Sequence, residues 1–296
     1  MATNFAYDHS PFADIGEVRE LGEADRAQVL SLLATAPVQN VILRGLILDH
    51  GLCGAELRGS FHGYFVNQQL LGVALLGHQI ITFGAAAALP LWAAQAVARQ
   101  ARGYLMLGPE AEAEALWQHL AAAGRQTRRV STQRLFVCQQ PKAKLERLQL
   151  LRANFAELDV IAEAQAEMAL EESGIDPRLT DPAGFRHRVA ERIERKRVWV
   201  KIEDGKVVFK ADLFSDTPDV VYLEGIWVHP AYRQRGVGKS CLAELVHRLL
   251  KSHTTICLFS NEEEKVAQQV YEYAGFAPVA TYQARFLAPP GEPASV

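Results

Sequence analysis

One stretch of this sequence concentrates residues suited to holding an anion: Arg233-Gln234-Arg235-Gly236-Val237-Gly238, followed by Lys239. The glycines at 236 and 238 remove side chains that would keep backbone N–H groups away from a phosphate. Beyond them Leu242, Leu245, Val246, Leu249 and Leu250 recur at i, i+3, i+4, i+7 and i+8, so the loop opens directly into an amphipathic helix. The start of such a helix presents unpaired N–H groups and the positive end of its dipole, a ready site for a pyrophosphate. Arg235 and Lys239 add positive charge. The trio Gly238-Lys239-Ser240 imitates the end of the nucleotide-hydrolysing pattern GxxxxGK[ST], but that pattern needs glycine at 233, where arginine stands. The preceding strand also ends too early, at Pro230, and no apolar strand ending in aspartate follows to hold magnesium. The dinucleotide fingerprint GxGxxG fails as well, since only one glycine pair is present. A plain glycine turn would leave Arg233 and the Gly-x-Gly spacing unexplained. The run is therefore read as a phosphate clamp.

The elements that must position this loop follow from periodicity and turn residues. Strands are expected at 148–152, 198–202, 206–213, 220–228, 254–259 and 280–287. Glu203-Asp204-Gly205 makes a hairpin turn between the second and third. Helices are expected at 155–171, broken by Gly174-Ile-Asp-Pro177, then from Asp181-Pro182 to about 194, after the glycine loop, and at 262–274. The N-terminal half runs in the same order: strand 18–21, helices 23–33 and 40–48, strands 60–66, 70–76 and 79–83, helix 89–99, strand 104–107, helix 110–123 and strand 134–138. The polar stretch 139–144, with Pro141, is the linker candidate. The fold class is thus α+β: two tandem modules, each a mixed, mostly antiparallel sheet flanked by helices, spanning 1–142 and 143–296.

Two runs carry a specific family resemblance. Gly225-Ile-Trp-Val-His-Pro-Ala-Tyr-Arg-Gln-Arg-Gly-Val-Gly238 resembles motif A of the GNAT acetyltransferases, Arg/Gln-x-x-Gly-x-Gly/Ala. Ala267-Gln-Gln-Val-Tyr271-Glu-Tyr-Ala-Gly275-Phe276 resembles their motif B, A-x-x-[LV]-Y-x-x-x-G-F, one helix and one strand later. The resemblance covers about residues 148–287, and the first module resembles the degenerate N-terminal half of two-module members. It implies that acetyl-CoA is the cofactor and no metal is used. Its pyrophosphate would lie on Arg233, Gln234, Arg235, Gly236, Val237, Gly238 and Lys239, and its pantetheine along the backbone of Ile226 and Val228. Tyr271 takes the place of the tyrosine that protonates the departing thiolate, with a packed helix tyrosine as its other reading. Glu224, beside a glycine that permits a bulge, is read either as the base for the amine proton or as a solvent-facing strand residue. Glu171 and Glu172 fall where the family builds its acceptor site, or form a solvated helix end. One departure stands out: the family's asparagine seven residues before the tyrosine is Glu264 here, which puts one cofactor contact in doubt.

The first module lacks these features. Phe83-Gly84-Ala-Ala-Ala-Ala-Leu-Pro90 offers one glycine and no arginine, and Trp117 stands in its final helix in place of a motif B tyrosine. One CoA per chain is the expected stoichiometry.

The bulk composition sets the outer limits. With 296 residues the chain suits two domains, and 49% hydrophobic against 22% charged residues describes a globular protein. A formal net charge of −3 gives no basic field for nucleic acid, and the basic run Arg192-Ile-Glu-Arg-Lys-Arg197 reads as a solvated helix end. No run approaches a membrane span and the N-terminus does not resemble a signal peptide, so the expected location is cytoplasmic. Cys53, Cys138, Cys241 and Cys257 have no ligand or disulfide spacing and read as small buried hydrophobes. The function expected is acetyl transfer from acetyl-CoA to a primary amine, of a small molecule or a protein, directly within a ternary complex. The alternative is a non-catalytic CoA- or acyl-CoA-binding regulator. The acceptor amine and the oligomeric state stay open.

Overall fold

The elements come in the order that the periodicity predicts. The computed structural model describes residues 16–99, 103, 105–145 and 148–289. In chain order these contain β1 (Glu17–Glu20), α1 (Arg26–Leu33), α2 (Val41–His50), β2 (Gly59–Val66), β3 (Gln69–Gly77), β4 (Gln79–Gly84), α3 (Leu89–Ala98), β5 (Leu105–Pro109), α4 (Glu110–Ala122) and β6 (Thr127–Cys138). There follow β7 (Leu151–Arg152), α5 (Leu158–Ser173), α6 (Pro177–Thr180), α7 (Pro182–Glu194), β8 (Val198–Glu203), β9 (Lys206–Asp216), β10 (Val220–Val228), α8 (Val237–Leu249), β11 (Thr255–Asn261), α9 (Lys265–Ala274) and β12 (Ala277–Leu287). The architecture is mixed α+β, with mostly antiparallel strand pairs flanked by helices.

The differences from expectation are local. β6 starts seven residues before the expected position 134. A turn of helix, α6, fills the expected break, capped where the Asp176 carboxylate accepts the Arg178 N–H at 2.9 Å. Helix α9 starts at 265 and not 262, because the Glu263 N–H bonds the Asn261 side chain and the Glu262 N–H bonds the Thr132 carbonyl. The C-terminal residues from 290 on and the N-terminal residues 1–15 fall outside the described residues.

The contacts divide the chain into two compact units, one of residues 1–35, 50–130 and 285–296, the other of 36–49 and 131–284. In the first unit β1 to β4 pair antiparallel in sequence order and β4 pairs parallel with β5. Its core gathers Trp92 and Ala96 of α3, Leu116 and Leu120 of α4, and Ile80 and Met106 of the strands.

In the second unit β7, β8, β9 and β10 pair antiparallel in order, β10 pairs parallel with β11, and β11 pairs antiparallel with β6. Helix α8 lays Cys241, Leu242, Leu245, Val246 and Leu249 on one face of this sheet, against Phe209, Ala211, Leu213, Leu223 and Ile256. Helices α5 and α7 cover the other face with Ile161, Phe185, Val189 and Ile193, against Val198, Val200 and Trp227. Residues 36–49, most of α2, belong to this unit through close backbone approach. A Cβ on Gly45 would come within 2.2 Å of Ser215 Oγ. Arg44 pairs with Asp219 at 3.1 Å, and Arg195 and Arg197 pair with Asp49 at 3.3 and 2.7 Å. The basic run is therefore no solvated helix end: its arginines are drawn inward by carboxylates far away in sequence. The polar stretch after β6 is also tied down, with the Lys142 N–H donating to the Ala274 carbonyl at 3.3 Å.

Candidate active site

The site begins with a fault in β10. Leu223 faces the α8 side of the sheet and Trp227 the α5/α7 side. Residues four apart on a regular strand share a face, so one residue has been inserted. The register places it between Glu224, opposite Asp212, and Trp227, opposite Lys210. Gly225 makes this possible. Its φ is +58°, a region that costs side-chain-bearing residues energy. On the far edge, β10 pairs with β11 only from Val220–Thr255 to Leu223–Leu258. Beyond the bulge, residues 224–228 leave that ladder, and β11 continues to Asn261 along β6.

The glycine loop follows. Gln234 and Gly236 take left-handed conformations, φ +60° and +81°, and Gly236 is the N-cap of α8 with no side chain bonded to the helix end. A Cβ on Gly236 would meet nothing within 4 Å, whereas one on Gly238 would lie 3.1 Å from Val228 Cγ2. The first glycine thus keeps the mouth of the helix open, and the second lets the helix settle on the strand. Arg235 lies over the Tyr232 ring at 5.9 Å and Lys239 over the Tyr273 ring at 5.5 Å, both exposed beside the helix start. An uncapped helix end, open space and two flanking cations fit a pyrophosphate. Arg233 is differently engaged. Its Nε donates to the Val228 carbonyl at 3.0 Å, and its Nη2 reaches both oxygens of Glu171 at 2.7 and 3.1 Å. Glu172 follows in α5, with its side chain outside the described residues. His229 caps the short turn after β10, accepting the Ala231 N–H at Nδ1 (3.2 Å).

Glu224 stands on the α7 side of the bulge in a network that sequence reading missed. Arg192 of α7 reaches Glu224 at 3.2 Å and Asp212 at 2.9 Å, and Lys210 joins Asp212 at 2.8 Å. Lys210 and Asp212 alternate with the core residues Phe209, Ala211 and Leu213, and this pattern reads as an ordinary half-polar strand; only α7 and the bulge bury them. Enclosure, with the neighbouring Asp212 charge, raises the Glu224 carboxyl above its ordinary range, against the opposing pull of Arg192 and Lys210.

Tyr271 lies on α9 with its ring edge-on to Phe136 at 5.9 Å and Phe276 at 6.3 Å, at the margin of the α8-side core. Glu224 thus lies on the α7 side of the sheet and Tyr271 at the margin of the α8-side core. Glu264 ends the turn into α9, its N–H on the Asn261 carbonyl at 3.0 Å. Cys138, Cys241 and Cys257 are buried, with burial pushing the Cys241 thiol up to about 12 and Cys257 higher still; Cys53 is exposed, contrary to expectation. The corresponding loop of the first unit differs. After Gly84 (φ +121°) a short 3-10 turn runs straight into α3, and the turn's Ala88 is fully buried. Trp117 lies under Arg285 at 4.4 Å.

Among the described residues no three His, Cys, Asp or Glu side chains gather as metal ligands, and no helix is long and apolar enough to cross a membrane.

Comparison with known proteins bears on the fold. Residues 161–276 match the family model of the acetyltransferase (GNAT) family. Comparison with curated protein sequences finds no match. Among solved structures, a tandem GNAT protein from the clavulanic acid biosynthesis pathway aligns over 94% of this chain and 100% of its own, with 14% identity and a TM-score of 0.59. A GCN5-related N-acetyltransferase from Sphaerobacter thermophilus aligns over 94% and 97%, with 15% identity and a TM-score of 0.58. An acetyltransferase of the GNAT family from Colwellia psychrerythraea aligns over 91% and 99%, with 16% identity and a TM-score of 0.57. At these identities the likeness is one of fold.

Proposed function

We propose, from the premise that residues 161–276 form a domain of the GNAT acetyltransferase family, that the chain transfers an acetyl group from acetyl-CoA to a primary amine. The observation that carries this reading is the loop from Gln234 to Lys239, open at an uncapped helix end and seated on the strand next to the bulge. Its amides, with Arg235 and Lys239, would hold the pyrophosphate. The edge of β10 at Ile226 and Val228, free of β11, would take the pantetheine in strand-like pairing. Bound there, acetyl-CoA supplies an activated acetyl group next to the bulge. Glu224, with its carboxyl raised by its enclosure, accepts the proton of an ammonium group as it becomes a nucleophilic amine. Tyr271, whose phenolic O–H is a donor, donates toward the leaving sulfur. Direct attack within a ternary complex is favoured because the three cysteines of this unit are buried, and burial raises each thiol. Residues 143–296 supply the cofactor loop and 1–142 none, so one CoA binds per chain.

A second reading, CoA binding without transfer, is favoured by one observation: Glu224 is already paired with Arg192. Mixing the protein with acetyl-CoA and a panel of primary amines, while following free thiol, separates the two. Thiol release that saturates with one amine supports the transferase. Saturable CoA binding with thiol released by none of the amines supports the regulator.

A further inference from the structure

A cation and an anion lie buried beneath the bulge, where an apolar pair would fill the same space at lower cost. Lys210 and Asp212 each expose 1% of their side chains, and Asp212 Oδ1 has no hydrogen-bond partner. Removing two charges from water carries a large desolvation cost that their attraction must repay. Their other contacts account for their presence. Lys210 Nζ also donates to the Gly225 carbonyl at 3.3 Å. Asp212 Oδ2 also accepts Arg192 Nη1 at 2.9 Å, and the second Arg192 nitrogen lies 3.2 Å from Glu224 Oε1. The chain of contacts therefore runs from Gly225 through Lys210, Asp212 and Arg192 back to Glu224, the residue before it. It closes a ring across the bulge.

We propose that Arg192 is a positioning residue for the Glu224 carboxylate, itself held by the buried Lys210–Asp212 pair that also fixes the bulged Gly225 peptide. The two ends of the ring act on adjacent backbone units. In a trans peptide the C=O and the following N–H point in opposite directions. Lys210, by gripping the Gly225 carbonyl, turns the Ile226 N–H away from itself. Arg192 confines a side chain that keeps 29% of its surface exposed, so the carboxylate is held but still reachable by solvent or a small group. The charged groups acting on Glu224 are Arg192 from α7 and Asp212 and Lys210 from β9; Arg192 also feels Glu191 of its own helix. A brace serving only stability would require neither the carbonyl contact nor a half-buried carboxylate, still reachable by solvent, at its end.

The inference rests on the proposed transfer only for what Glu224 does, so its test reads the carboxylate itself. In the full chain labelled with carboxyl-13C glutamate, the Glu224 resonance is assigned by its loss in Glu224→Gln and titrated by NMR. Arg192→Gln should move the Glu224 midpoint upward by roughly one pH unit, and Arg192→Lys should restore most of the change. Asp212→Asn, which removes a neighbouring anion, should move it downward. Thermal unfolding verifies that each variant is folded; Arg192→Gln alone suffices should Asp212→Asn not fold. In the thiol-release assay the acid limb for Arg192→Gln should move upward with the midpoint, with acetyl-CoA affinity unchanged within about twofold. A folded Arg192→Gln protein with an unmoved midpoint would overturn the proposal. Midpoints that move as expected in a protein releasing thiol with no amine would sustain the positioning role and reject the transferase reading.

Discussion

The Arg233 guanidinium holds both oxygens of the Glu171 carboxylate, at 2.7 and 3.1 Å, while its Nε holds the Val228 carbonyl. A residue of the loop before α8 is thereby tied to the end of α5. Each side chain of the pair is nearly half exposed, so the contact contributes about 0.2–1 kcal/mol and weakens with salt. Glu171→Gln should free the guanidinium and tighten CoA binding by roughly two- to fivefold at low ionic strength. Calorimetric titration at two salt concentrations checks this; equal affinities for wild type and variant at low salt would contradict it.

Gly236 stands at a φ of +81° with open space where a Cβ would go. Gly236→Glu puts a carboxylate at the mouth of the helix, where the anion is expected. CoA affinity should fall roughly a hundredfold, about 2.7 kcal/mol, while the circular dichroism spectrum stays native. Retained affinity would place the clamp elsewhere.

Tyr271→Phe keeps the ring that packs on Phe136 and Phe276 and removes only the hydroxyl. The expected outcome is a kcat lower by roughly a hundredfold with acetyl-CoA affinity unchanged, as for a lost proton donor. A fall in affinity or melting temperature with kcat intact would assign the tyrosine to packing.

Burial raises the Glu224 carboxyl above the ordinary glutamate value, so in the folded protein it keeps its proton to higher pH. The base form is lost as pH falls through that raised value. The acid limb of the rate profile should therefore lie above the usual carboxylate range, around pH 4.3, and should vanish in Glu224→Gln. A limb within the ordinary range, or one that survives the substitution, would remove Glu224 from the role of base.

In the first unit, Arg19 donates to both oxygens of Asp25 at 2.9 and 2.7 Å and the Gly22 N–H donates at 2.9 Å. These bonds hold the Asp25 carboxyl at about 2, below its ordinary 3.8. A depressed carboxylate stabilises the fold fully above the unfolded value, and this contribution is lost as pH falls toward 2. Arg19 is 47% exposed, so Asp25→Asn should cost only about 1 kcal/mol at pH 7 and nearly nothing at pH 2, as read from urea midpoints.

The glycine loop was legible because its determinants are consecutive. Glycines at 236 and 238 and the apolar period of α8 act within one turn of chain, and the structure gives them the open mouth and the close approach that those residue types permit. The alternation of β9 was legible too, but its meaning was not. Lys210 and Asp212 have the spacing of a solvated strand face, and Arg192 that of an exposed helix end. Nothing near them in sequence says that α7 crosses that face. Arg195 and Arg197 were misread for the same reason, since their carboxylate, Asp49, lies about 150 residues away.

The sequence by itself therefore determined the order of elements, the glycine loop and the glycine that admits the bulge, because backbone freedom and apolar period are properties of neighbouring residues. Tertiary structure alone decided which charges are buried, that α2 joins the unit of the later strands, and that Glu224 stands opposite Arg192. Burial and ion pairing depend on which surfaces meet, and sequence spacing carries no such information when the partners are far apart along the chain.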